Sequence, residues 1–246
     1  RVFSTSEIDK VAVVTQNRHQ DSMEIFMADA RSTEAKLILH DEVDKYFTED
    51  AYGYITFYDD GFLMCSERDG YNHIYQYTLT GQLKRQVTKG EWVVSELYGI
   101  DSKTGDIYYG ARAESPLRKS VYKVDPKGKV TCLSNRKGTN TAIFSTTMKY
   151  YLNVWSDINT PHITALCDNK GKELKVMEDN AALCQTLTTL GLGTREFFKF
   201  TTSEGAELNG FMVRPADFNP AKKYPVFMFQ YSGPGSQQVL DSWSAG

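Results

Sequence analysis

A self-similar unit recurs through the first three quarters of the chain, and it limits the possible folds more than any other feature. An apolar β-type run leads through a polar loop to a second alternating run, a Gly- or Ser-containing turn, and a third run. In the first unit, Val11-Ala12-Val13-Val14 passes through Gln16-Asn17-Arg18-His19 to Glu24-Ile25-Phe26-Met27-Ala28. Arg31-Ser32-Thr33 then turns it into Lys36-Leu37-Ile38-Leu39. The second unit joins Phe62-Leu63-Met64-Cys65, Ile74-Tyr75-Gln76-Tyr77 and Lys84-Arg85-Gln86-Val87, turning at Thr80-Gly81. The third joins Ile107-Tyr108-Tyr109, Val121-Tyr122-Lys123-Val124 and Val130-Thr131-Cys132-Leu133, turning at Pro126-Lys127-Gly128. The fourth joins Tyr150-Tyr151-Leu152-Asn153-Val154, His162-Ile163-Thr164-Ala165-Leu166 and Leu174-Lys175-Val176-Met177, with a loop at Ser156-Asp157-Ile158-Asn159 and a turn at Asn169-Lys170-Gly171.

The middle strands, marked by Ile25, Ile74, Val121 and Ile163, follow one another at about 49, 47 and 42 residues. That is the ~40–50-residue period of a β-propeller blade. A fourth strand per unit fits the gap before each first run, as in Gly53-Tyr54-Ile55-Thr56-Phe57 and Thr141-Ala142-Ile143-Phe144. One four-stranded sheet cannot bury both of its faces, so such sheets stack around a channel. A two-sheet β-sandwich is the competing architecture, and the repeated strand order favours the propeller. With 13% aromatic residues, including 15 Tyr and 13 Phe, the composition leans the same way. The abrupt start at Arg1-Val2 reads as an excerpt, with earlier blades expected upstream.

The remaining composition excludes several classes. A net charge of −3 gives no basic field for nucleic acid or anionic membrane. No apolar run approaches ~20 residues, so no membrane-spanning helix is expected. Cys65, Cys132, Cys167 and Cys184 form no C-x-x-C pair and no zinc-type set with a histidine. Buried free thiols are expected, with Cys65 and Cys132 inside apolar strands, and no metal or cofactor.

The repeat ends near Asn180-Ala181-Ala182-Leu183, and a short link over 187–193 leads to a different pattern. Glu196-Phe197-Phe198-Lys199-Phe200 and Glu207-Leu208-Asn209-Gly210-Phe211-Met212-Val213 alternate around Glu204-Gly205 as a hairpin. Tyr224-Pro225-Val226-Phe227-Met228-Phe229-Gln230-Tyr231 has a continuous apolar centre, the mark of a strand covered on both faces. It ends in the turn Tyr231-Ser232-Gly233-Pro234-Gly235. A hairpin, then a buried strand, then a glycine-rich turn is the order that opens an α/β-hydrolase sheet, where the loop after the third strand supplies part of the oxyanion hole. The expected division is therefore 1–185 as propeller blades and 186–246 as the start of a hydrolase domain. Tyr231 could aim its phenol at such a site, or pack between the two domains; spacing leaves both readings open.

Lys223-Tyr224-Pro225-Val226 followed by Gln230-Tyr231-Ser232-Gly233-Pro234-Gly235-Ser236-Gln237 resembles the first hydrolase-domain signature of the prolyl oligopeptidase family, in its dipeptidyl peptidase IV branch. Ser66-Glu67-Arg68-Asp69-Gly70-Tyr71-Asn72-His73-Ile74, Thr88-Lys89-Gly90-Glu91-Trp92 and Val130-Thr131-Cys132-Leu133-Ser134 resemble the propeller of that branch. The resemblance implies a serine exopeptidase that releases dipeptides from peptides with a free N-terminus, often after Pro or Ala. It implies that Tyr231 helps to hold the tetrahedral oxyanion and that the propeller gates access. It also implies a periplasmic or extracellular setting and allows a homodimer. Ser232 departs from the Ala or Gly common among relatives.

No G-x-S-x-G elbow occurs in the chain, and Ser236 and Ser242 lie in the wrong context for a nucleophile. The paired glutamates that grip a substrate N-terminus in the family are not matched by Glu178-Asp179 or Glu67-Asp69, which read as solvated turns. His19, His40, His73 and His162 are scattered and read as structural or exposed. A non-catalytic, peptide-binding propeller and an acylaminoacyl- or oligopeptidase relative are the alternative readings.

Overall fold

The computed structural model describes residues 1–47, 54–231, 233 and 236–244. Four four-stranded antiparallel sheets follow one another along the chain in simple up-and-down order. The first holds β1 (Val2–Ser4), β2 (Lys10–Gln16), β3 (Ser22–Asp29) and β4 (Ala35–Glu42). The second holds β5 (Ile55–Tyr58), β6 (Gly61–Ser66), β7 (His73–Thr78) and β8 (Leu83–Gln86). The third holds β9 (Val94–Ile100), β10 (Ile107–Ala111), β11 (Ser120–Val124) and β12 (Val130–Cys132). The fourth holds β13 (Thr139–Phe144), β14 (Tyr150–Ser156), β15 (Ile163–Asp168) and β16 (Glu173–Glu178). The predicted period is thus that of a propeller blade, and the chain is a mainly β, partial propeller. Of the strand proposed over 53–57, Gly53 lies outside the described residues.

The middle strands show why the blades stack. Every residue of β6 is buried, although successive side chains point to opposite faces. Phe62 and Met64 enter one apolar cluster with Ala12, Val14, Met23 and Ile25 of the first blade. Leu63 and Cys65 enter a second, with Ile107, Tyr109, Tyr122 and Val124 of the third. The third blade repeats the arrangement, sending Tyr108 and Val121 toward Ala142, Tyr151, Ala165 and Cys167 of the fourth. Each joint is a separate core, and each fully buried large side chain in it contributes roughly 1.5–3 kcal/mol. The first strands are stitched from blade to blade as well. The Tyr54 hydroxyl donates to the Ser95 carbonyl (2.6 Å), and the Ala142 amide donates to the Tyr98 hydroxyl (3.2 Å).

The turn between the third and fourth strands is one device used repeatedly. In Asp125–Lys129 the Gly128 amide donates to the Asp125 carbonyl, while the Asp125 carboxylate accepts from the Lys127 and Lys129 amides (both 2.9 Å). Asp168 does the same with Lys170, Lys172 and Gly171. Thr78 substitutes its hydroxyl around Gly81. The amides donated to them hold the Asp125 and Asp168 carboxyls below the usual range. The glycines have φ of +81° (Gly81), +87° (Gly128) and +85° (Gly171), where a Cβ is strained. Gly81 has a second reason: a Cβ there would lie 1.5 Å from the Ile38 carbonyl oxygen of the preceding blade.

Three expectations are corrected. The link after the repeat contains a helix, α1 (Ala181–Leu190), none of whose residues is buried. Residues 224–231 form no strand and pair with none among the described residues. Val226, Phe227, Met228 and Phe229 are 90%, 93%, 83% and 73% exposed. Their continuous apolar pattern calls for cover on both faces, and no described element supplies it. Cys132 is exposed rather than buried, because β12 is the outer edge of its blade. Cys65 and Cys167 are buried as expected, and burial pushes the Cys65 thiol up to about 12. The hairpin after the helix forms as β17 (Arg195–Thr201) and β18 (Glu207–Val213).

Candidate functional site

Tyr231 closes the apolar run and is 61% exposed. Its ring lies across Gly233. A Cβ built on Gly233 would sit 2.8 Å from the Tyr231 hydroxyl oxygen and 2.9 Å from its ring carbons. A side chain at residue 233 would meet the phenol in this position, so the ring and Gly233 are in close contact. The Ser236 amide donates to the Gly233 carbonyl (3.1 Å). The other turn residues singled out from sequence, Ser232, Pro234 and Gly235, lie outside the described residues.

Beyond this turn the chain comes back onto the propeller. Asp241 is the anchor, with a side chain only 7% exposed. Its Oδ2 accepts from Arg118 Nε (2.8 Å) and its Oδ1 from the Ile158 amide (3.1 Å). Its own amide donates to the Leu117 carbonyl (2.8 Å), and its carbonyl accepts from the Thr139 hydroxyl (2.9 Å). The Ser242 and Ser156 hydroxyls lie 3.3 Å apart, and the Trp243 amide donates to Ser156 Oγ (3.1 Å).

The receiving surface is the joint between the third and fourth blades. Arg118 and Lys119, side by side, run in opposite directions. Arg118 reaches out to Asp241, whereas the buried Lys119 turns to Glu96 Oε1 (2.7 Å). Glu96 also accepts from the Tyr98 hydroxyl (2.5 Å), and burial followed by that carboxylate raises the phenol strongly. The loop after β14 is stiffened by the Asp157 carboxylate, which accepts from the Asn159 and Thr160 amides (2.9 and 2.7 Å). Asn159 in turn grips the first residue of β17. Its Oδ1 accepts from the Arg195 amide (2.9 Å) and its Nδ2 donates to the Arg195 carbonyl (3.0 Å).

The other sequence candidates fall outside this arrangement. His73 is buried between Thr88 Oγ1 (3.1 Å) and the Gly90 carbonyl (2.9 Å), with its ring edge-on to Trp92. His19, His40 and His162 are exposed. Glu67 and Asp69 are exposed, while Glu178 and Asp179 accept from the Asn180 and Ala181 amides at the start of α1. Among the described residues no group of His, Cys, Asp and Glu is arranged to hold a metal ion. Sequence reasoning missed Asp241 and Arg118, since no local pattern marks either.

The family model for the dipeptidyl peptidase IV N-terminal region matches residues 2–162. The chain belongs to the dipeptidyl peptidase IV family. Among relatives, dipeptidyl peptidase 4 of Arthroderma otae is 30% identical and that of Trichophyton rubrum 32%, each over 96% of this chain and 32% of the relative. The crystal structure of Porphyromonas gingivalis dipeptidyl peptidase 4 superposes with a TM-score of 0.95 at 41% identity, over 99% of this chain and 35% of that one. A Bacteroides ovatus structure, at 24% identity and a TM-score of 0.79, shares the fold. The chain thus spans about a third of the length of the curated relatives it matches. No helix among the described residues is long and apolar enough to cross a membrane.

Proposed function

We propose that this chain is part of a serine exopeptidase that removes N-terminal dipeptides, of the Xaa-Pro or Xaa-Ala type, from peptides with a free N-terminus. In this reading residues 1–185 are propeller blades that restrict access, and residues 186–246 open an α/β-hydrolase domain. Tyr231 donates its phenol O–H to the oxyanion of the tetrahedral intermediate, while the triad serine, histidine and aspartate come from outside this chain. The setting is periplasmic or extracellular, and the intact protein is compatible with a homodimer. The observation that carries the reading is the 41% identity to the P. gingivalis enzyme over 99% of the chain, a span that includes both the blades and the tyrosine turn. The exposed phenol, packed closely over Gly233, supports the reading of a directed donor.

The test is Tyr231→Phe in the intact peptidase, assayed on a chromogenic Xaa-Pro substrate. Loss of one oxyanion donor lowers kcat by about 10²–10³. An unchanged kcat with intact folding would remove Tyr231 from the mechanism. The 246-residue chain serves as a control and is expected to show no amide hydrolysis, since it contains no G-x-S-x-G elbow.

A further inference from the structure

We infer that Asp241 is a positioning residue for the tyrosine turn, acting through a latch to Arg118 and to the loop after β14. The inference rests on the proposed role of Tyr231 and adds what holds that phenol in place. On its N-terminal side Gly233 is approached by residues 226–229, which are 73–93% exposed and make no strand pairing among the described residues. Its C-terminal side is the fixed one. Eight residues beyond Gly233, Asp241 makes four hydrogen bonds to four separate propeller residues, Leu117, Arg118, Thr139 and Ile158. Two of them are charge-assisted contacts to a carboxylate that is almost wholly removed from water, the kind of bond whose loss is expensive.

The latch engages a rigid receiver. The Arg118 segment is tied to the fourth blade through the adjacent residue. The Lys119 amide donates to the Gly138 carbonyl (3.1 Å), and the Asn140 amide donates to the Lys119 carbonyl (2.8 Å). Ile158 sits in the loop that Asp157 stiffens and that also holds the start of the hairpin through Asn159. One propeller surface therefore fixes both the hairpin that precedes the tyrosine run and the segment that follows the tyrosine turn. The latch confines Tyr231 from the side that is anchored. An oxyanion donor has to be held to a fraction of an ångström, and a displacement of about 1 Å can cost 10²-fold in rate.

The experiment uses the intact peptidase with Asp241→Asn, Asp241→Ala and Arg118→Gln, alone and combined with Tyr231→Phe. Asp241→Asn keeps an oxygen for the Ile158 amide and loses the charge facing Arg118, so it is the mild member of the series. The expected result is a fall in kcat of roughly tenfold for Asp241→Asn and Arg118→Gln, and more for Asp241→Ala, with KM changed less than about twofold. The Arg118→Gln/Asp241→Asn double variant is expected to be no worse than either single variant, because the two share one interaction. Asp241→Asn is expected to add nothing to Tyr231→Phe. Amide exchange at Ile158 and Trp243 is expected to rise in Asp241→Ala while the blade cores keep their protection. If Asp241→Asn and Asp241→Ala keep kcat within twofold while Tyr231→Phe loses it, the latch is not a positioning device and the role of Tyr231 stands. If Asp241→Asn slows the Tyr231→Phe variant by the same factor as the parent, its effect does not pass through the tyrosine and the inference fails. An unchanged kcat for Tyr231→Phe itself overturns the role of Tyr231 and this inference with it.

Discussion

Adjacent residues on β6 belong to different cores, and truncating each should therefore loosen a different neighbour. Phe62 is fully buried in the joint with the first blade, stacked on Tyr77 with centroids 4.9 Å apart and rings 8° from parallel, and 5.1 Å from Phe57. Leu63, also fully buried, points into the joint with the third blade beside Ile107 and Tyr109. Phe62→Ala is expected to cost about 3–5 kcal/mol and Leu63→Ala about 2–5 kcal/mol, from lost transfer energy and a residual cavity. In a repeat architecture the loss falls first on the nearest-neighbour interface rather than on the whole array. A loss of about 3 kcal/mol in one joint accelerates local exchange by about two orders of magnitude, at 1.4 kcal/mol per factor of ten.

Native-state amide exchange separates the two variants. Phe62→Ala should expose amides of β2 and β3, around Val14 and Ile25, while those of β10 stay protected. Leu63→Ala should do the reverse, exposing Tyr108 to Ala111. A double-mutant cycle gives an independent check. Phe62 and Tyr77 should be coupled by about 0.5–1.5 kcal/mol, the worth of an aromatic pair. Leu63 and Tyr77, on opposite faces, should add within about 0.5 kcal/mol. Matching exchange maps for the two alanine variants, or equal coupling of both residues to Tyr77, would refute the account of two independent joints.

Gly81→Ala should destabilise by more than the ~1 kcal/mol of an ordinary backbone penalty, because the new Cβ meets the Ile38 carbonyl oxygen of the neighbouring blade. Gly128→Ala, with the same sign of φ but open space around it, should cost less in a denaturant titration, and equal losses would count against the clash. Thiol labelling of the native chain should modify Cys132 and Cys184 and spare Cys65, whose burial keeps it protonated up to about 12; rapid labelling of Cys65 would contradict its placement. Alkaline pH should unfold the chain. Cys65, Tyr75 and Tyr108 are raised by burial from ordinary values of 9.0 and 10.0 to about 12, so the unfolded state loses these protons first. Stability should be intact below about pH 9 and fall between about pH 9 and 12, each such group steepening the slope by up to ~1.4 kcal/mol per pH unit; a flat urea midpoint across that window would show the groups to be ionised in the fold.

The blades were legible because their physics is local. An alternating run, an Asp or Thr before a glycine turn, and another run at a fixed period report the same sheet four times. Two-faced burial was also visible, since Phe62-Leu63-Met64-Cys65 has no polar face to give to water. The helix was not legible. Ala181–Leu190 does carry a narrow apolar stripe, Leu183, Leu187 and Leu190, but none of its residues is buried, so that stripe marks no core contact. Asn180 makes no side-chain cap, and only the αL Gly191 at its end is a conventional signal. Over 224–231 the sequence reports the environment the segment is suited to, a covered strand, rather than the exposed one it has among the described residues. Cys132 was misplaced because an apolar run does not say which strand of a blade is the outer edge.

Asp241 shows why site residues resist this kind of reading. Its partners Arg118, Thr139 and Ile158 lie 123, 102 and 83 positions away, so no window of sequence contains the interaction. A lone Asp between Leu240 and Ser242 reads as surface, and only the return of the chain onto the blades takes its carboxylate out of water. That burial is itself informative. Removing a carboxylate from water costs several kcal/mol unless donors replace the lost hydration, and here Arg118 and the Ile158 amide do so. Replacing both partners with apolar groups could hold the segment as tightly, so stability alone does not require an ion pair at this place. What the pair adds is direction. The guanidinium and the amide approach different carboxylate oxygens and so fix the orientation of the segment as well as its contact. If Tyr231 is the oxyanion donor proposed above, orientation is what its turn needs and what nonspecific burial cannot provide.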